Sequence, residues 1–167
     1  SKRELSSSMK SVGESMAIGR SFAESLQKAL RSLEYGYTGL NPIDDSGDIE
    51  SLKHKLTQQL PERLLLIGDA IRYGISEEEI AKLSKFDPWF VREIAKIVHA
   101  EKNIAKTGLT NDRETLLEYK KMGFSDQRIA EICGKSEDEV RKHRLSLNIK
   151  PVFKRIDTCA AEFDSNT

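Results

Sequence analysis

The chain is poor in cysteine, proline and aromatic residues, and it has no excess of charge of either sign. Its 167 residues include two cysteines, Cys133 and Cys159, four prolines and 7% aromatics. Two cysteines, with no Cys-x-x-Cys pair and no nearby histidine set, exclude a disulfide framework or a zinc site and favour a reducing compartment. Lysine plus arginine number 27, as do aspartate plus glutamate, so no net field draws the chain to nucleic acid or an acidic membrane. No apolar run approaches the roughly 20 residues of a membrane span, and no secretory leader pattern stands out. The expectation is a soluble, cytoplasmic protein with no membrane partner. What remains is a polar, charge-rich chain, 38% hydrophobic and 32% charged, long enough to bury one sizeable core.

Punctuation residues divide that chain into helices. Ser21-Phe22-Ala23-Glu24 reads as a capping box, after which Phe22, Leu26, Ala29, Leu30 and Leu33 share one helical face and Gly36 can end the helix. Tyr37 to Gly47, with Asn41-Pro42 and Asp44-Asp45, reads as a loop. Ile49, Leu52 and Leu56 predict a short helix stopped at Leu60-Pro61, and Leu64, Leu65, Ile67 and Ile71 a second one ended at Gly74. Ser76-Glu77-Glu78-Glu79 is another box, and Asp87-Pro88 opens a long helix running to Gly108. Helices starting near Thr110, Ser125 and Ser136 follow, the last halted by Pro151. The predicted fold is all-α, a compact helical bundle with extended segments at both termini. Lys10 to Arg20 has two glycines and no evident helical period, and Val152 to Ile156 reads as a strand with nothing after it to pair with.

A repeat lies within the helical region. Arg72-Tyr73-Gly74-Ile75-Ser76 reappears 49 positions later as Lys121-Met122-Gly123-Phe124-Ser125. In that register Ile80 meets Ile129, Ala81 meets Ala130, Leu83 meets Ile132, Val91 meets Val140 and Arg92 meets Arg141. Capped helices share a common grammar, yet the matched apolar positions point to an internal duplication. Two such units form a compact bundle, because an open stack needs three or more.

Candidate chemistry is sparse. Ser125 to Asn148 has the helix, glycine turn and helix of a DNA-binding module, and its second helix bears Arg141, Lys142, His143 and Arg144. A nucleic-acid-binding function centred on 125–148 is therefore the alternative reading. Against it, the recognition helix would open with Glu137, Asp138 and Glu139, three carboxylates facing a polyanion, whereas the helix dipole explains acids at that position. His54, His99 and His143 have no serine, cysteine or carboxylate partner at a catalytic spacing and are expected on solvated helix faces. The Glu77-Glu78-Glu79 run points in successive directions around a helix and makes a poor chelate. Gly13 to Gly19 lacks the lysine and spacing of a phosphate loop. Trp89 and Phe90 are the candidate interface residues, since an aromatic pair at a helix start is either a core anchor or an exposed association hot spot. No catalytic, cofactor-binding or metal-binding residue is expected.

Three stretches together carry a resemblance. Met9 to Arg20, followed by Ser25 to Glu34, resembles the end of the first ATP-grasp half of carbamoyl-phosphate synthase large chains. The motif residues there are Lys10, Ser11, Gly13, Glu14, Gly19 and Arg20. The helical middle with Asp87-Pro88-Trp89-Phe90 resembles that family's oligomerisation domain. Val152 to Phe163 resembles the entry into the second ATP-grasp half, through Lys154, Arg155, Asp157, Cys159 and Glu162. The resemblance implies three parts: 1–20 as the tail of the first half, 21–150 as a helical oligomerisation domain, and 151–167 as the start of the second half. It implies a non-catalytic assembly and spacer role in an ATP-dependent ligase that makes carbamoyl phosphate from bicarbonate, glutamine-derived ammonia and two ATP for arginine or pyrimidine synthesis. ATP and Mg2+ or Mn2+ would be bound by the flanking halves, with none bound here. The implied partners are other large chains, the glutaminase small chain and the neighbouring ATP-grasp halves, with no nucleic acid.

Overall fold

The computed structural model describes residues 2–153 and 161–163. These residues form nine α-helices and one short β-ladder, so the all-α expectation holds. The chain divides into two compact units, Ser1–His99 and Ala100–Thr167. Unit 1 contains α1 (Lys2–Ala17), α2 (Phe22–Arg31), α3 (Ile49–Leu56), α4 (Arg63–Arg72), α5 (Glu77–Ser84) and the first part of α6 (Pro88–Thr107). Unit 2 contains the rest of α6, then α7 (Arg113–Lys121), α8 (Asp126–Cys133), α9 (Glu137–Ser146), β1 (Val152–Phe153) and β2 (Ala161–Glu162).

The N-terminal segment is helical rather than extended. Ser8 and Val12, four residues apart, are both buried, and Ser15 and Met16 continue the same stripe half-buried. A serine on the inner face hides the period from any reading that counts only apolar residues. Gly13 faces open space, so it costs about 1 kcal/mol against alanine without breaking the helix. Gly19 (φ +96°) ends it: its N–H donates to Met16 O at 3.0 Å and the next N–H, of Arg20, to Ser15 O at 3.2 Å. That pair of bonds is a Schellman end, which needs the left-handed residue glycine supplies. The two glycines that suggested irregular backbone are thus an exposed helical position and a helix terminator.

In unit 1, α2 starts on Ser21, whose Oγ accepts the Glu24 N–H, and stops at Arg31, short of the expected Gly36. Phe22, Leu26, Ala29 and Leu30 are buried along it. Also buried in unit 1 are Leu40, Leu52, Leu56, Leu65, Ile67, Ile80, Ile94 and Ile97, each worth about 1.5–3 kcal/mol of transfer free energy. The predicted loop is fastened to α4. Asp69, 1% exposed, accepts the N–H groups of Ile43 (3.0 Å) and Asp44 (2.9 Å), and Arg72 Nη1 donates to its other oxygen at 3.0 Å. Burial pushes the Asp69 carboxyl above its ordinary value in spite of these donors.

In unit 2 the core is Ile104, Leu116, Leu117, Phe124, Ile129, Val140 and Ile149. The last helix ends at Ser146, with Asn148 in the left-handed region (φ 59°), before Pro151 is reached. Val152 does have a partner: it lies opposite Glu162, and Phe153 opposite Ala161, in an antiparallel ladder. The expected lone strand is therefore half of a local pair.

The repeat seen in the sequence is a repeat of backbone geometry. α4 ends at Arg72 and α7 at Lys121; α5 spans Glu77–Ser84 and α8 Asp126–Cys133; α6 opens at Pro88 and α9 at Glu137. Every pair is offset by 49 residues. Gly74 (φ +86°) and Gly123 (φ +92°) close the first helix of each copy with the same two bonds, to Ile71 and Ala70 in one and to Lys120 and Tyr119 in the other. Ser76 and Ser125 each cap the third N–H of the next helix. Lys85 (φ 63°) and Gly134 (φ 68°) end those helices in the left-handed region, bonded to Ala81 O and Ala130 O. Ile80 and Ile129, Ala81 and Ala130, and Val91 and Val140 are all buried.

Candidate functional site

The candidate interface pair sits at the start of α6. Asp87 Oδ1 accepts the Trp89 N–H at 2.8 Å, and Pro88, with no N–H to leave unpaired, occupies the first helical position. Trp89 is 36% exposed, whereas Phe90 is half-buried and Phe22 nearly fully buried. The three rings pack edge to face: Phe22 lies 5.5 Å from Trp89 and 5.6 Å from Phe90, and Trp89 lies 5.1 Å from Phe90. Phe86 extends the cluster at 6.4 Å from Phe90, with the Arg63 guanidinium 4.6 Å over its own ring centre. Each such pair adds about 0.5–1.5 kcal/mol beyond burial, which favours this arrangement of the rings. The structure separates the two candidates: Phe90 is an anchor inside the cluster, and Trp89 presents apolar area to solvent on a preordered base. Beside it lies a cleft of about 740 Å³ lined by Glu77, Glu78, Lys82, Lys85, Asp87 and Arg92 among others. Its three acids and three bases leave no net charge to attract an ion.

The helix-turn-helix geometry also forms, as α8, Gly134 and α9, with Arg144 and His143 engaged within the protein and Arg141 and Lys142 exposed beside Asp138. Arg144 is buried and pairs with Asp126, with Nε at 3.0 Å from Oδ1 and Nη2 at 3.0 Å from Oδ2. His143 is half-buried with Nε2 2.6 Å from Thr110 O, which corrects its assignment to a solvated face. Lys142 Nζ lies 3.0 Å from Asp138. Ser136 and Glu139 form a reciprocal capping box, so the acids at the helix start serve the helix itself. A groove-binding surface needs free cations at that end, and carboxylates occupy it.

Lys10, Ser11, Gly13 and Glu14 lie exposed on α1, Gly19 terminates it and Arg20 is half-buried. Glu162 lies in β2; Lys154, Arg155, Asp157 and Cys159 fall outside the described residues. Among the described residues no group of three or more His, Cys, Asp or Glu gathers to hold a metal, and no helix is long and apolar enough to cross a membrane. His54 and His99 are exposed. Cys133 is a half-buried free thiol, pushed upward in pKa by burial.

Two buried charge clusters were not anticipated. Glu101, 5% exposed, holds Arg128 with Nε 3.1 Å from Oε2. Asp126 collects Arg144 and Lys120, whose Nζ lies 2.9 Å away. Burial pushes the Asp126 carboxyl up, but the Arg144 guanidinium and the Lys120 ammonium prevail and hold it below its ordinary value. A sequence signal for these clusters exists. Glu101 stands four residues after Ile97, Lys120 four after Leu116 and Arg144 four after Val140, so each charge continues an apolar stripe.

The geometry of the chain therefore shows helices with an aromatic cluster at the start of α6 and, among the described residues, no group of side chains gathered to hold a metal. Comparison with known proteins decides its kinship: the family described as carbamoyl-phosphate synthetase large chain, oligomerisation domain, matches residues 14–148. The chain belongs to that family. It is 51% identical to the carbamoyl phosphate synthase large chain of Rhizobium meliloti, with 98% of this chain and 14% of the relative covered. Against the large chains of Brucella melitensis and Pseudomonas aeruginosa the identities are 46% and 47%, again over 98% of this chain, with 14% and 16% of the relatives covered. The oligomerisation-domain match takes in α2 to α9 whole, and the chain spans about a seventh of the length of these relatives.

Proposed function

We propose that this chain is the non-catalytic oligomerisation and spacer segment of a carbamoyl-phosphate synthase large chain. In this reading residues 1–20 end the first ATP-grasp half, 21–150 form the helical domain and 151–167 begin the second half. The parent enzyme makes carbamoyl phosphate from bicarbonate, glutamine-derived ammonia and two ATP in the cytoplasm, for arginine or pyrimidine synthesis. The flanking halves bind ATP and Mg2+ or Mn2+, and a glutaminase small chain delivers the ammonia. The segment's own work is self-association of large chains, centred on Trp89. The observation that carries this role is the Trp89 ring, over a third exposed yet braced by Phe22 and Phe90. An aromatic ordered before contact loses little entropy on association, which is the usual character of a hot spot.

Sedimentation equilibrium tests the role. The wild-type chain is expected to self-associate with rising concentration. Trp89→Ala, with helical circular dichroism retained, should weaken association by at least about fivefold, the effect of a hot-spot truncation above 1 kcal/mol. A wild-type chain that stays monomeric at high concentration, or a variant that associates as tightly as the parent, overturns it. The isolated chain is also expected to hydrolyse no ATP.

A further inference from the structure

Unit 2 grips the backbone at the point where the chain leaves α9. The last carbonyls of a helix have no partner within it. In α9 those of His143, Arg144 and Leu145 accept N–H groups from Leu147, Asn148 and Ile149, and the three carbonyls that follow the helix are met by two guanidinium groups from different helices. Arg113 Nε donates to Leu147 O at 2.9 Å and its Nη2 to Asn148 O at 3.3 Å, while Arg144 Nη1 donates to Ile149 O at 2.8 Å. Three successive carbonyls are therefore fixed by side chains from α7 and α9. The N–H groups on the same stretch are also held: Asn148 donates to Leu145 O at 2.9 Å and Ile149 to Arg144 O at 3.1 Å. Ile149 is 1% exposed, so the clamp rests on packing as well as on hydrogen bonds.

Arg144 is also the residue that binds Asp126, and Asp126 in turn holds Lys120. The ring of Phe163 lies over these two cations, 5.1 Å from Lys120 Nζ and 5.6 Å from Arg144 Cζ. The side chains of Lys120 and Arg144 are only 5% and 9% exposed, and Phe163 is itself half-buried. Both cations lie within the roughly 6 Å at which the negative face of an aromatic ring attracts them. Phe163 directly follows β2, whose Glu162 is paired with Val152 of β1. The chain thus leaves α9 through the clamp, pairs with itself, and places an aromatic ring on Arg144 of the clamp and on Lys120, which shares Asp126 with it.

We propose that Phe163 is a latch that locks the exit segment onto unit 2 through Lys120 and Arg144, fixing the direction in which the chain continues. That the continuation is an ATP-grasp half rests on the reading above; the latch itself does not.

The test uses the whole 167-residue chain. Amide hydrogen exchange at Asn148 and Ile149, and the ring-current shift at the Arg144 Nε proton, are followed in Phe163→Ala, Phe163→Leu and Phe163→Tyr. The alanine variant should accelerate exchange at both amides by about 2- to 30-fold, the span of a cation–π contact from exposed to desolvated. Leucine keeps the apolar bulk and should recover part of the protection but not the ring-current shift. Tyrosine should preserve both. Exchange in α2 to α5 should not change in any variant. Unchanged exchange at Asn148 and Ile149 in the alanine variant overturns the latch, as does equal acceleration throughout the helices. Since neither readout needs association or ATP, failure here is distinct from failure of the assembly role.

Discussion

Lys85 offers a measurement that reaches down to a single backbone angle. It closes α5 with φ 63° and ψ 17°, its N–H bonded to Ala81 O at 2.9 Å, and its side chain is exposed. A residue with a Cβ costs about 1–2 kcal/mol in this left-handed conformation, because the Cβ crowds the following carbonyl oxygen. Glycine removes that cost but gives up about 0.5–1 kcal/mol through the greater freedom of its unfolded chain. The net expectation for Lys85→Gly is a gain of about 0.5–1 kcal/mol, or about 1–4 °C in Tm for a chain of this size. Gly134, 49 residues on, occupies the same backbone position (φ 68°), and Gly134→Ala should lose a similar amount. Differential scanning calorimetry reads both. Lys85→Ala is the control, because it deletes the charge and keeps the Cβ, and it should melt with the wild type. If Lys85→Gly fails to raise Tm, or Lys85→Ala raises it equally, left-handed strain is not what distinguishes the two copies.

Two other outcomes bear on the core and on pH. Asp126 titrates below its ordinary value of 3.8 when folded, so protons favour the unfolded chain. Its contribution is complete above that ordinary value and is lost as pH falls through the lowered one; Asp126→Asn should flatten the acid limb of a stability-against-pH curve. The same change strands two buried cations and should cost about 3–5 kcal/mol near neutrality in a urea titration; a loss under 1 kcal/mol would refute the cluster's structural role. Ile80→Ala and Ile129→Ala, at matched positions 0% and 1% exposed, should each cost about 2–5 kcal/mol by the same measurement. A cost confined to one of them would show that the matched positions do not carry equal weight in the core of their own unit.

Most of the helical frame was legible because local chemistry dictates it. Ser76, Ser125 and Ser136 cap where a short hydroxyl precedes an acidic turn, and Asp87-Pro88 starts α6 for the reasons that proline and a carboxylate favour that position. The duplication was legible because it preserves terminators as well as apolar residues. The first helix was not, since Ser8 fills an inner position that hydropathy assigns to the surface. The β-ladder depends on a turn-back of the chain that no periodicity reports. The buried clusters at Glu101 and Asp126 were missed because charge suggests solvent, although each lies in register with isoleucine, leucine or valine one turn earlier. Trp89 and Phe90 were found as a pair, but their division into exposed ring and buried brace is a tertiary fact.

The twofold internal design has a bearing on how copies meet. Where α6 opens with Trp89 and Phe90, α9 presents Asp138 and Glu139 at the corresponding addresses. A greasy socket on a neighbouring molecule that accepts the first address must reject its twin, since it would have to strip water from two carboxylates. The repeat thereby persists in the backbone and is erased at this surface, so that on the assembly role proposed above a scaffold patterned twice offers its visitors only the first of these two doors.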